Sequence, residues 1–289
     1  MVDVVLVTGR QMPIPDPESH LLLDALRDLG VSASVQPWGD EFAWHEAPLV
    51  VVRTPWDYFD ARERFLEWAR GVAAVTSLVN PIEVLEWNSH KGYLRALRGF
   101  GVPAIETAVL PQGAPADEQA AVLQAHSGEV VVKPAVGGGA VGALRAHSEH
   151  AAAREHLAAL LESGDALVQP LASAITTHGE VSVVYFGGQF SHAVRKVPAL
   201  GDYRVQAEYG GRVEQHTPSD AELAVAAAAL ARAPKATSYG RVDLVSVDGR
   251  PAVMELEVIE PQLFLDRHPA APRRFADELV RELRSTGRR

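Results

Sequence analysis

The stretch Pro251-Ala252-Val253-Met254-Glu255-Leu256-Glu257-Val258-Ile259-Glu260-Pro261 reads as a β-strand carrying two acids, Glu255 and Glu257, among apolar residues. Strand side chains alternate. Both carboxylates are therefore expected on one face with Val253 and Ile259, and Met254, Leu256 and Val258 on the other. At ~3.4 Å rise per residue, their Cα atoms lie about 7 Å apart. That spacing suits a pair of ligands for a hard cation. It equally suits a solvated sheet face that happens to be acidic.

Upstream, residues 239–247 read as the partner strand, with Asp243 interrupting an apolar run and Asp248-Gly249 turning the chain back. Loop length sets the register. A two-residue Asp-Gly loop pairs Val247 with Arg250, sets Asp243 opposite Met254 and sends it to the face away from the glutamates. A three-residue loop over 248–250 pairs Val247 with Pro251 and sets Asp243 opposite Glu255. A three-acid metal site thus requires the longer loop or a bulge, and Pro251, which lacks an N–H, argues against the tight ladder. Three inward acids repel one another, and a divalent cation relieves that repulsion.

Outward from this hairpin the chain alternates strand and helix patterns. Residues 2–7, 31–36 and 49–53 read as strands. Helices over 20–29 (capped by Ser19, ended by Gly30) and from Asp60 onward lie between or after them. This is a small parallel α/β unit, and loops at its carboxyl strand ends should border a crevice, which makes Arg10 and Arg53 substrate candidates or surface ion pairs. A proline-rich loop (Pro13, Pro15, Pro17) follows Arg10; after Arg53 come a short helix over 81–87, a helix over 90–98, and a strand over 105–110. A helix over 117–126, strands over 129–134 and 143–146, a helix over 148–161 and a strand over 166–170 follow. Strands over 180–186 and 189–197 flank the hairpin signal Gly187-Gly188. Residues 198–211 read as a long loop, 219–231 as a helix and 271–284 as a closing helix.

Length and composition narrow the function. The 289 residues, 47% hydrophobic, can build more than one core. Cys is absent, which excludes disulfides, thiolate metal sites and a thiol nucleophile. The net charge of −10 argues against nucleic acid as partner. No apolar run reaches the ~20 residues of a membrane span, so a cytoplasmic chain is expected. The histidines show no paired spacing with an acid that would suggest zinc, and no Gly-x-Ser-x-Gly elbow exists for a serine nucleophile. Gly137-x-Gly139-x-x-Gly142 matches the dinucleotide fingerprint only formally, because no helix opens there. A flexible flap over phosphates (Gly137, Gly138, Gly139) fits better, with Lys133 at the end of an apolar strand nearby.

Lys91, Lys133-Pro134, the glycine flap, Gln169-Pro170-Leu171, Glu180, Arg204, Asp243 and Glu255-x-Glu257 stand in the order found in the ATP-grasp ligases. From about residue 82 onward the chain resembles that family, and glutathione synthetases and RimK-type ligases are similar in layout. Within it the chain is similar to the D-cycloserine synthetase (O-ureido-D-serine cyclo-ligase) branch of antibiotic biosynthesis. Arg53-Thr-Pro-Trp-Asp-Tyr58, Phe190-Ser-His-Ala-Val-Arg-Lys-Val-Pro198 and Met254-Glu-Leu-Glu-Val-Ile-Glu-Pro261 carry that likeness.

The resemblance implies an α/β (α+β) ATP-grasp fold. A pre-ATP-grasp parallel α/β domain on the substrate side would span 1–84, a small lobe with the flap 85–170, and a C-terminal lobe with the Mg²⁺ site 171–289. It implies ATP and Mg²⁺ as cofactors. Lys91 and Lys133 would contact the phosphates, with Gly137, Gly138 and Gly139 covering them. Gln169, Pro170 and Leu171 would receive the adenine edge, and Glu180 would bind the ribose. Arg204 and Arg195, with Lys133, would serve catalysis. Asp243, Glu255 and Glu257 would hold the metal, although relatives usually carry Asn where Glu257 stands. Arg10, Arg53, Asp57, Tyr58 and Glu260 are the expected contacts of a small amino-acid-like carboxylate. The implied chemistry is phosphoryl transfer to that carboxylate and attack by an amine-type nitrogen, which needs positioning and charge neutralisation. Ligation of two substrates, a kinase on the same fold and a non-catalytic nucleotide binder are the competing readings, and a homo-oligomer is left open.

Overall fold

The computed structural model describes residues 2–12 and 16–287. Of the proline-rich loop, Pro13 and Pro15 lie outside the described residues. The strands fall into three sheets.

The first sheet is parallel, in the order β2-β1-β3-β4, and comprises β1 (Val4–Thr8), β2 (Ala33–Pro37), β3 (Leu49–Thr54) and β4 (Ser77–Val79). Its central strands are apolar on both faces because both are covered. Val4, Leu6, Leu49 and Val51 pack on Leu22 and Leu26 of α1 (Ser19–Asp28). Val5, Val7, Val50 and Val52 pack on Phe65, Leu66 and Ala69 of α2 (Arg62–Val75). Each fully buried Val, Leu or Phe among them contributes roughly 1.5–3 kcal/mol. The cap of α1 differs from expectation. Asp16, not Ser19, accepts the first free backbone donors, from Glu18 at 2.8 Å and Ser19 at 3.1 Å.

After α3 (Ile82–Asn88) and α4 (Tyr93–Gly99) comes the second sheet. It is antiparallel, in the order β5-β8-β6-β7, from β5 (Ala108–Leu110), β6 (Glu129–Pro134), β7 (Leu144–His147) and β8 (Ala166–Pro170). Val130, Val132 and Val168 pack there on Leu123 of α5 (Ala116–Gln124) and Leu157 of α6 (Ala151–Ser163).

The third sheet follows α7 (Ile175–His178). It is antiparallel, in the order β11-β10-β9-β12-β13, from β9 (Glu180–Phe186), β10 (Gln189–Val197), β11 (Arg212–His216), β12 (Tyr239–Val247) and β13 (Arg250–Glu257). Its outer face, with Val183, Tyr185, Val242 and Leu256, is covered by Leu94 and Leu97 of α4 and by Ala226 and Ala229 of α8 (Asp220–Leu230). A full capping box between Ser219 and Glu222 starts α8. Thus α4 packs on the third sheet, and α3 lies between that sheet, through Val84, and α2, through Leu85. Asn88 ties α3 to the sheet, donating to Leu256 O at 2.7 Å and accepting from Val258 N at 3.1 Å.

The inner face of the third sheet changes character along its strands. Val184, Phe186, Val194 and Tyr239 pack against α1, the first sheet and Phe275 of α9 (Ala271–Ser285). Beyond them, where that cover ends, the same face becomes charged.

Candidate active site

Two hairpins of the third sheet build this charged face. In β12–β13, Val247 pairs with Arg250, so the loop is the two-residue Asp248-Gly249 turn, with φ of 50° and 74°. These positive values give the mirror-image turn that fits twisted strands. Ser246 pairs with Pro251, which corrects the expectation that Pro251 argues against this ladder. At the sheet's edge its missing donor can face away from the neighbour. The register then slips. Leu244 pairs with Val253 but Asp243 with Glu255, leaving Met254 unmatched as a bulge. Of the two ways to bring Asp243 to Glu255, the protein uses the bulge. Val253 accordingly joins Leu244 and Leu256 in the outer core rather than sharing the acids' face.

In β9–β10 the Gly187-Gly188 loop pairs Phe186 with Gln189, and a slip at Ser191 follows, so Val184 faces His192. From there Lys196 stands opposite Glu180, and Arg195 opposite Val181. Arg195 is therefore on the outer face, donating to His216 Nδ1 at 3.0 Å, and the structure does not bring it to the site. The position expected of Arg195 belongs to Lys196.

The resulting cluster is a ladder of alternating charge. Asp243 accepts from Arg241 Nε and Nη2, both at 2.9 Å, from Lys196 Nζ at 3.0 Å and from Ser182 Oγ at 2.6 Å. Arg241 also reaches Glu257 at 2.6 Å, Lys196 pairs with Glu180, and Lys91 pairs with Glu255. Carboxylate oxygens of Asp243, Glu255 and Glu257 lie within 4.8 Å of one another. Three hard oxygen donors at this spacing fit Mg²⁺. Sequence reasoning missed Lys196 and Arg241. Arg241 was within reach, because it sits two residues from Asp243, on the same alternation that marks Glu255 and Glu257.

Burial and charge compete at each group. Burial raises the Asp243 carboxyl, but Arg241 and Lys196 overcome it and hold it well below the ordinary range. The same contest, settled by Lys91 and Lys133, lowers Glu255. At Glu180 and Glu257 burial wins and pushes each up to about 7, despite Lys196 and Arg241 respectively. Burial lowers the Lys133 ammonium despite the nearby Glu255.

Other expected residues approach from the neighbouring sheets. Lys91 sits between α3 and α4, its N–H bonded to Ala135 O at 2.8 Å, which joins this turn to the end of β6. Gly137, Gly138 and Gly139 lie between β6 and β7. A Cβ on Gly138 would stand 2.6 Å from the Phe59 ring, which would have to shift to admit it. At the end of β8, Gln169 donates to Thr107 Oγ1 at 2.9 Å, and the Leu171 N–H is already given to Glu129 O at 2.9 Å. Arg204 is held on its own loop, paired with Asp202 at 2.8 Å and stacked 3.7 Å from the Tyr209 ring. It stands outside the carboxylate cluster.

The first sheet contributes the loop after β3. Tyr58 OH donates to Glu260 Oε1 at 3.3 Å, and Trp56 Nε1 to Glu260 O at 2.9 Å. Burial, reinforced by Glu257, pushes the Glu260 carboxyl up to about 8. The other substrate candidates are committed elsewhere. Asp57 accepts from the backbone of Arg10 (2.8 Å) and Gln11 (3.1 Å) and from Trp38 Nε1 (2.7 Å). Arg10 is 66% exposed and paired with Asp40. Arg53 is 1% exposed, between the Tyr239 and Phe275 rings, with Glu18 at 3.4 Å. It braces the fold, since Glu18 also accepts from the backbone of Leu263 and Leu265.

Comparison with known proteins agrees with this fold. Residues 4–80 match the family described as D-cycloserine synthetase DcsG, N-terminal domain, and residues 109–260 the prokaryotic glutathione synthetase ATP-grasp domain. The chain is 34% identical to the cycloserine biosynthesis protein DcsG of Streptomyces lavendulae, over 97% of this chain and 99% of that one. The crystal structure of D-cycloserine synthetase DcsG superposes with a TM-score of 0.89 at 32% identity, covering 97% and 99% of the two chains. A RimK domain ATP-grasp protein from Sphaerobacter thermophilus shares the fold, with a TM-score of 0.70 at 18% identity over 96% and 99%.

Proposed function

The chain belongs to the ATP-grasp ligases, in the branch of D-cycloserine synthetase, and from that premise we propose that it converts O-ureido-D-serine to D-cycloserine with ATP and Mg²⁺. The observation that supports the substrate assignment is the likeness over residues 4–80, the part of the chain least fixed by the shared ATP chemistry.

In this reading the substrate carboxylate takes the γ-phosphoryl group and ADP leaves. The nitrogen beside the side-chain oxygen then attacks the acyl carbon, expels phosphate and loses its proton to solvent, and water takes off its carbamoyl group as carbamic acid, which decays to CO2 and ammonia. Lys91 and Lys133 hold the phosphate chain, the backbone of Gly137, Gly138 and Gly139 closes over it, and Glu180 accepts from the ribose. The end of β8 (Gln169, Pro170, Leu171) borders the adenine, with the Leu171 N–H excluded as its donor. Asp243, Glu255 and Glu257 would hold Mg²⁺, which when bound neutralises charge on the phosphates. Arg241 and Lys196 keep Asp243 ionised and aim Glu257 and Glu180, a preorganisation that needs no covalent nucleophile. Arg204 would reach the transferred group only by exchanging Asp202 for it.

The test is ADP release from purified protein with MgATP and O-ureido-D-serine, with mass detection of the product. D-cycloserine and phosphate in equal amounts are expected. ADP release only when a second amine is added would replace ring closure by two-substrate ligation, and a stable phosphorylated acid would make the protein a kinase.

A further inference from the structure

Among the described residues, four acids of the site have a cation of their own. Glu180 and Asp243 share Lys196, Asp243 and Glu257 share Arg241, and Glu255 has Lys91. Glu260 has none. Its carboxylate is met by the neutral hydroxyl of Tyr58 alone, and its backbone carbonyl is gripped by Trp56. It also stands outside the group of carboxylates, Asp243, Glu255 and Glu257, that converge within 4.8 Å.

Its place is between the acids of β13 and the first-sheet loop, with Glu257, Lys91 and Glu255 as its charged neighbours. Burial beside Glu257 and Glu255 favours the protonated form of Glu260 although Lys91 stands near, and a cationic group on a ligand would stabilise the carboxylate instead. An amino acid whose carboxylate is activated beside Glu255 and Glu257 carries an ammonium on the adjoining carbon. Resting on the ligase reading above, we propose that Glu260, aimed by Tyr58 and Trp56, binds the α-ammonium of the substrate and makes the enzyme select α-amino acids over their desamino counterparts. A neutral N–H donor would be served equally well by an amide, so charge is what the assignment turns on.

The experiment follows ADP release at saturating MgATP from the wild type, Glu260→Gln and Tyr58→Phe. It uses O-ureido-D-serine and a panel of amino acids, each beside its desamino counterpart. Glu260→Gln keeps the shape and the bond from Tyr58 but loses the charge. It should raise KM for the fastest amino acid about 10- to 100-fold, leave KM for ATP unchanged, and leave the already poor desamino acid no worse. Tyr58→Phe should weaken the same selectivity by less. Equal use of amino and desamino acids by the wild type, an equal loss on both in Glu260→Gln, or no loss at all overturns the assignment, as does a panel in which no acid releases ADP. Loss of O-ureido-D-serine as substrate, with the selectivity intact on another amino acid, retires ring closure and supports the Glu260 assignment.

Discussion

The hairpins β9–β10 and β12–β13 solve one problem at opposite ends of their strands. Each closes with a two-residue turn at positive φ, and each contains a single slip that moves charged residues onto the inner face. In β9–β10 the slip at Ser191 lies close to the turn, so nearly the whole of β10 is shifted and Lys196 replaces Arg195 opposite Glu180. In β12–β13 the slip at Met254 lies deep in the strand. The apolar residues nearer the turn keep plain register, and the acids beyond it are brought opposite Asp243 and Arg241. Turn chemistry makes the hairpin, while the bulge decides which side chains meet.

The largest expected effect breaks the acid hairpin. Glu255→Gln removes one metal-site charge with little change in shape, and turnover should fall by about 10²–10³-fold or more. Circular dichroism should report an intact fold. Activity within a few-fold of wild type would remove Glu255 from the metal site.

The next compares the two adjacent cations of β10. Lys196→Met leaves Glu180 and Asp243 buried with a missing counter-charge, and should cost about 3–5 kcal/mol in urea unfolding. Arg195→Met, on the outer face, should cost no more than about 1 kcal/mol. Equal costs would mean that the Ser191 slip does not set the register in solution.

His192 follows that slip and tests it by pH. Its Nε2–H donates to Leu263 O at 2.8 Å, Nδ1 meets Ser191 Oγ at 2.9 Å, and His268 stacks 5.7 Å away. Burial lowers its pKa to about 4. The unfolded chain therefore takes the proton first as pH falls. This contribution to stability is whole above about pH 6.5 and is lost between there and pH 4, amounting to about 3 kcal/mol. His192→Gln should remove this part of the acid dependence in denaturant titrations at stepped pH; an unchanged dependence would refute the burial.

Much of the fold could be read from the chain because alternation is local. The bounds of β6, β8, β9, β10 and β12 coincide with the expected ones. The short β4 and the exposed edge strand β11 carry too little apolar pattern to be seen. At the site, Asp243, Glu255 and Glu257 were recognisable by type and spacing, whereas Lys196 was not, because one slipped residue inverts the parity of everything after it. Arg53 misled for another reason. Its partners Glu18, Tyr239 and Phe275 are distant in sequence, and nothing local distinguishes an arginine buried among them from one facing a crevice.

The smallest effect separates turn from bulge. Gly249 has φ of 74°, and a Cβ there would meet nothing within 4 Å. Gly249→Ala therefore costs only the strain of a left-handed alanine, about 1–2 kcal/mol. If the turn dictated register, relaxing that strain through a longer loop would drag Pro251 opposite Val247. The shift would pass along β13 and change which residue opposes Asp243. With the slip at Met254 absorbing the mismatch, and Val253 anchored to Ile105 N and Pro103 O at 2.9 Å each, the acids should stay in place. Gly249→Ala should thus unfold at lower urea yet release ADP within about twofold of wild type, since strain confined to an exposed turn need not reach the site. A loss of turnover comparable to that of Glu255→Gln would show the turn, and not the bulge, to be what holds Asp243 against Glu255.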